Sequence, residues 1–86
     1  MKLMIAIIRD PDCDAVIQAL TGDNFRVTRI ASTGGFLRRG TATLLIGLEE
    51  DRVNTAIALI RRTIAPGGEE KNATVFVVPV DSYQQI

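Results

Sequence analysis

The stretch FRVTRIASTGGFLRRGTATLLIGLE, residues 25–49, decides the fold. Its opening, FRVTRIAST, alternates apolar and polar residues, as a strand with one covered face does. Its close, TATLLIGLE, reads as the hairpin partner of that strand. The connection between them, TGGFLRRGT, holds paired glycines, Phe36 and paired arginines, far more chemistry than a hairpin turn requires.

Upstream, KLMIAIIR at 2–9 is a continuous apolar run, short enough for a strand buried on both faces. Asp10 then offers an N-cap, Pro11 suits the first helical position, and Asp12 and Asp14 place negative charge in the first turn. Cys13, Val16, Ile17 and Leu20 fall on one helical face, and Gly22 is a natural stop. Downstream, Asp51 is expected to cap a second helix with Val53, Ile57, Ile60 and Ile64 on one stripe, ended by APGG. NATVFVVPV at 72–80 is a fourth strand, and Pro79, lacking an N–H, assigns it to a sheet edge.

The order βαββαβ predicts one ferredoxin-like α+β domain over 1–86, a four-stranded antiparallel sheet with two helices on one face. Two helices cover only one face of such a sheet. Strands 1, 3 and 4 nonetheless carry apolar residues at both parities, so the bare face is expected to bury itself in an oligomer.

Ten basic and ten acidic residues cancel. No long-range field favours nucleic acid or a membrane surface, and neither is expected as a partner. One cysteine forms no internal disulfide, which suits a reducing cytoplasm. The apolar start stops at Arg9 without a cleavage site, and no run is long enough to span a membrane. The absence of histidine removes histidine triads and histidine metal sites. No catalytic residue, metal ligand or cofactor is expected.

Three patterns fail at the connection. Gly35 to Gly40 has P-loop spacing, but Thr41-Ala42 replaces the Lys-Ser/Thr and a strand follows instead of a helix. An acylphosphatase-like enzyme needs a phosphate loop after strand 1, where RDPDCD presents three carboxylates. An RNA-recognition motif needs aromatics on the central strands, which here are aliphatic. What remains suits a nucleotide without chemistry. Gly34 and Gly35 permit close approach, Phe36 and Leu37 offer an apolar surface to a base, and Arg26, Arg38 and Arg39 offer guanidinium groups to phosphates. The same parts also make a polar hairpin tip, with glycines for the turn and arginines for solubility.

The stretches MKLMIAIIRDPD, NFRVTRIASTGGFLRRGTATLLIGLEEDRV and ATVFVVPVDSYQQI resemble the PII-like cyclic di-AMP receptor family, the PstA/DarA-like proteins. The resemblance covers most of the chain. It implies a cytoplasmic, non-catalytic signal-transduction protein, a homotrimer that binds cyclic di-AMP or a related adenine nucleotide in clefts between subunits and signals to a downstream protein. The matching ligand contacts are Asn24, Arg26 and Thr28 on strand 2, Gly35, Phe36 and Leu37 in the connection, Gly47 on strand 3 and Gln85 near the C-terminus. Thr41 stands where the family usually has asparagine. APGGEEKN also replaces the family's long loop between helix 2 and strand 4, so the turn at 66–70 is expected to be compact and to take little part in closing over ligand.

The alternative is a ferredoxin-like assembly protein with no small-molecule ligand. Cys13 reads as a core residue, with nothing basic beside it to lower its pKa. Glu49, Glu50 and Asp51 read as dipole compensation for helix 2, and Arg61 and Arg62 as its solvated end. Tyr83 suits either a base or a neighbouring subunit.

Overall fold

The computed structural model describes residues 1–30, 40–64 and 73–86. The elements are β1 (Lys2–Arg9), α1 (Asp10–Gly22), β2 (Arg26–Ile30), β3 (Thr41–Leu48), a 3-10 turn (Glu50–Arg52), α2 (Val53–Thr63) and β4 (Ala73–Pro79). The strands form one sheet in the order β2-β3-β1-β4, every neighbouring pair antiparallel. This is the ferredoxin-like arrangement, and β4 lies at an edge, where the missing N–H of Pro79 breaks no ladder.

Alternation along the strands divides the sheet into two faces. Met4, Ala6 and Ile8 of β1 and Ala42, Leu44, Ile46 and Leu48 of β3 are buried beneath the helices with Cys13, Val16, Leu20, Phe25, Ala56 and Ile60. The second stripe differs in phase from its expectation. Ala56 and Ile60 are its buried centre, whereas Val53, Ile57 and Ile64 are half-buried at its flank. Alanine leaves room for the two helices to pack together, a role that hydrophobicity alone does not reveal.

Both expected N-caps are corrected. Arg9 is the cap residue of α1, and Asp10 is already helical, its N–H donating to the Gly40 carbonyl at 2.7 Å. That bond satisfies one of the donors a side-chain cap would have served. Asp51 lies inside the 3-10 turn, and Arg52 precedes α2 without a side-chain capping bond. At the other end of α1, Gly22 is the last helical residue and Asn24 takes the left-handed conformation, with φ 67°. The Asn24 N–H donates to Thr21 O and the Phe25 N–H to Leu20 O, the paired bonds of a Schellman ending.

Candidate functional site

The uncovered face is built in rows across the sheet. Arg26, Gly47, Leu3 and Val78 lie side by side in the first, and Thr28, Leu45, Ile5 and Phe76 in the second. Ile30, Thr43, Ile7 and Thr74 make the third. The face is mostly apolar, and Phe76 stands 51% exposed. Alternation along β2 sends Arg26 and Thr28 to this face together, as their spacing requires.

A groove of about 450 Å³ opens at the first row. Arg26 and Thr28 stand on its β2 side, Gly47, Leu45 and Leu3 at the sheet, and Val80, Tyr83 and Gln85 come from the segment after β4. That segment is tied back by the Val80 N–H, which donates to the Met1 carbonyl at 3.2 Å. Met1 and Lys2 complete the lining.

Gly47 explains the space. Its φ lies outside the left-handed region, so its backbone does not require glycine, and a Cβ built there meets nothing within 4 Å. With strands about 4.8 Å apart, Arg26 and Leu3 flank it on adjacent strands and stand roughly twice that spacing from each other. The missing side chain leaves a notch in the sheet surface. Glycine within a strand often marks such a close approach.

Four of the expected residues therefore meet at one groove: Arg26, Thr28, Gly47 and Gln85. Asn24 stands beside them in sequence, but its backbone serves the turn that ends α1. Thr41 lies at the opposite end of β3, opposite Arg9 and about 20 Å from Gly47 at strand rise, and within one chain it belongs to no common site with the groove. Gly35, Phe36 and Leu37 lie outside the described residues, as do Arg38, Arg39 and the turn at 66–70. Residue-type reasoning missed Leu3, Leu45 and Lys2. Leu3 and Leu45 were visible only as the second apolar parity of their strands.

The arginines divide by partner. Arg29 faces the helices and reaches Asp10 at 3.8 Å and Asp14 at 3.5 Å, while Arg9 reaches Asp12 at 3.4 Å. Among the described residues, Arg26 has no such partner. Arg29 also corrects the reading of Cys13. Its charge does favour the thiolate, but burial outweighs it and pushes the Cys13 thiol up from its ordinary value. The buried thiol lies 3.7 Å from the Ile8 carbonyl and is a core group.

Among the described residues, no helix is long and apolar enough to cross a membrane. A solved structure of a functionally unknown protein from Pediococcus pentosaceus is similar to this chain at 34% identity and a TM-score of 0.78, covering 99% of this chain and 96% of that one. Residues 1–69 match the family described as cyclic-di-AMP receptor. That match includes β1, β2 and β3 with Arg26, Thr28 and Gly47, and on it the chain belongs to the cyclic-di-AMP receptor family.

Proposed function

We propose that the protein is a non-catalytic sensor that binds cyclic di-AMP, or a related adenine nucleotide, on the uncovered sheet face within a homotrimer. The observation that carries this reading is the notch at Gly47. A glycine that neither backbone nor packing requires stands beside Arg26, which has no carboxylate partner among the described residues, in a chain of the cyclic-di-AMP receptor family. A phosphate paired with the Arg26 guanidinium makes a charge-assisted hydrogen bond. Asn24, Thr28 and Gln85 add polar contacts, and Leu3 and Leu45 give a base an apolar floor. Gly35, Phe36, Leu37 and Thr41 would complete the cleft, and Thr41 does so from the neighbouring subunit.

Trimer formation is supported by the same face. Ile30, Phe76 and Val78 stand exposed on it, with half-buried Leu3, Ile5, Ile7 and Leu45 between them, and contiguous apolar surface of this kind marks an interface. Calorimetric titration with cyclic di-AMP, ATP and AMP tests the ligand. Binding that Arg26→Ala weakens by about ten- to a hundredfold is expected. A parent chain that binds none of the three, while remaining trimeric, leaves a ferredoxin-like assembly protein as the function. Light scattering tests the assembly, for which three copies of the 9.4 kDa chain are expected. A monodisperse monomer at micromolar concentration would sink the subunit cleft.

A further inference from the structure

Among the described residues that line the groove, Tyr83 is the only aromatic one, beside the aliphatic Leu3, Leu45 and Val80. Phe25 is buried beneath the helices, and Phe76 stands one row away, beside Ile5. Alternation fixes the side of the sheet from which the tail departs. Phe76, Val78 and Val80 share one parity, so the chain leaves β4 on the uncovered face, the face that carries Arg26 and Thr28. The bond from the Val80 N–H to the Met1 carbonyl holds it there. Tyr83 is 65% exposed, and among the described residues it has no hydrogen-bond or ring partner. A tyrosine kept for packing within its own chain buries its ring, and this one does not.

We infer that Tyr83 stacks on a base of the bound ligand, on the side of the base away from the sheet. This rests on the reading of the groove as the nucleotide site and names the group that recognises its base. Leu3 and Leu45 cover one face of a base and leave the other to water. A ring laid over that second face removes it from water and adds base–aromatic stacking, which a purine, with two fused rings, makes over the larger area. Gln85 lines the same groove two residues further on, so one segment supplies a ring for the face of the base and an amide for its edge. An anion without a base, held by Arg26 alone, gains nothing from Tyr83.

Cyclic di-AMP is titrated by calorimetry into the parent, Tyr83→Phe and Tyr83→Leu proteins, with melting curves for fold and light scattering for assembly. The adenine ring protons of the ligand are followed by NMR in each complex. Tyr83→Phe keeps the ring and should bind like the parent. Tyr83→Leu keeps an apolar side chain without the ring and should bind about tenfold more weakly, the cost of one lost stacking platform. Adenine protons should move upfield in the parent and phenylalanine complexes and lose that shift in the leucine complex, a ring-current effect that a merely structural tyrosine does not produce. If Tyr83→Leu binds as tightly as the parent with the same shifts, the role of Tyr83 is overturned while the proposed function stands. Loss of the trimer in that variant also overturns it, by assigning the ring to the subunit contact. If the parent itself binds no cyclic di-AMP, the proposed function falls and the base contact falls with it.

Discussion

The Arg52 guanidinium lies over the Phe25 ring, 4.2 Å from its centroid. Its nitrogens also reach back to Asp23, donating to the backbone carbonyl at 3.2 Å and pairing with the carboxylate at 3.1 Å. One side chain at the start of α2 thereby fixes the turn from which β2 and Arg26 emerge. Arg52→Ala should destabilise the protein by about 1–2 kcal/mol, since the ion pair is partly solvent-screened and the ring contact is worth about 0.5–1 kcal/mol. For a chain of this size that is a fall in Tm of several degrees, roughly 4–8 °C per kcal/mol. An unchanged melting curve would show that the turn holds itself.

Gly47→Leu should separate binding from folding. A Cβ there meets nothing within 4 Å, and a strand interior gains from replacing glycine. The melting temperature should hold or rise, while the side chain fills the notch and cyclic di-AMP binding is lost. Calorimetry beside a thermal melt checks both. Parental affinity in the leucine variant would place the ligand elsewhere.

Asn24 has two roles that substitution can split. Asn24→Gly keeps the left-handed turn, costing little stability while removing the amide. Asn24→Ala removes the amide and also strains the backbone, costing on the order of 1 kcal/mol more. Equal stability of the two variants, measured by denaturant unfolding, would contradict the turn geometry. Equal loss of affinity in both is the expected mark of a direct amide contact.

Cys13 makes stability fall at high pH. Burial raises its thiol above the ordinary 9.0, so the folded chain keeps a proton that the unfolded chain releases. The stabilising difference is complete below that ordinary value and declines as pH rises toward the folded pKa. Unfolding followed from neutral pH to above 9.0 should show this loss, and Cys13→Ala should lack that component. A thiol reagent should label Cys13 only as the core opens.

The strands were legible because burial leaves a local record. The period of two in RVTRI placed Arg26 and Thr28 on one face, and Pro79 put β4 at an edge. Helix entry was less legible, because the Asp10 N–H is satisfied by Gly40, some thirty residues away in sequence. No local pattern encodes that bond. The groove was legible in its β2 and β3 residues, but Leu3 reaches it only because the sheet brings the start of β1 beside Gly47. The return of Tyr83 and Gln85 depends on the bond between Val80 and Met1, again a tertiary event.

The central position of β1 bears on how the molecule forms. Its ladder partners are β3 and β4, so Lys2 lies beside both Leu48 and Pro79, from distant parts of the chain. The first strand synthesised must wait, apolar on both faces, until its last neighbour has left the ribosome. Pairing across such separations closes long loops, which slows folding and favours a single concerted step. The row from Arg26 through Gly47 and Leu3 to Val78 spans every strand, so no partly assembled sheet presents it. A ligand bound along that row would act only on finished protein, slowing its unfolding without guiding the nascent chain.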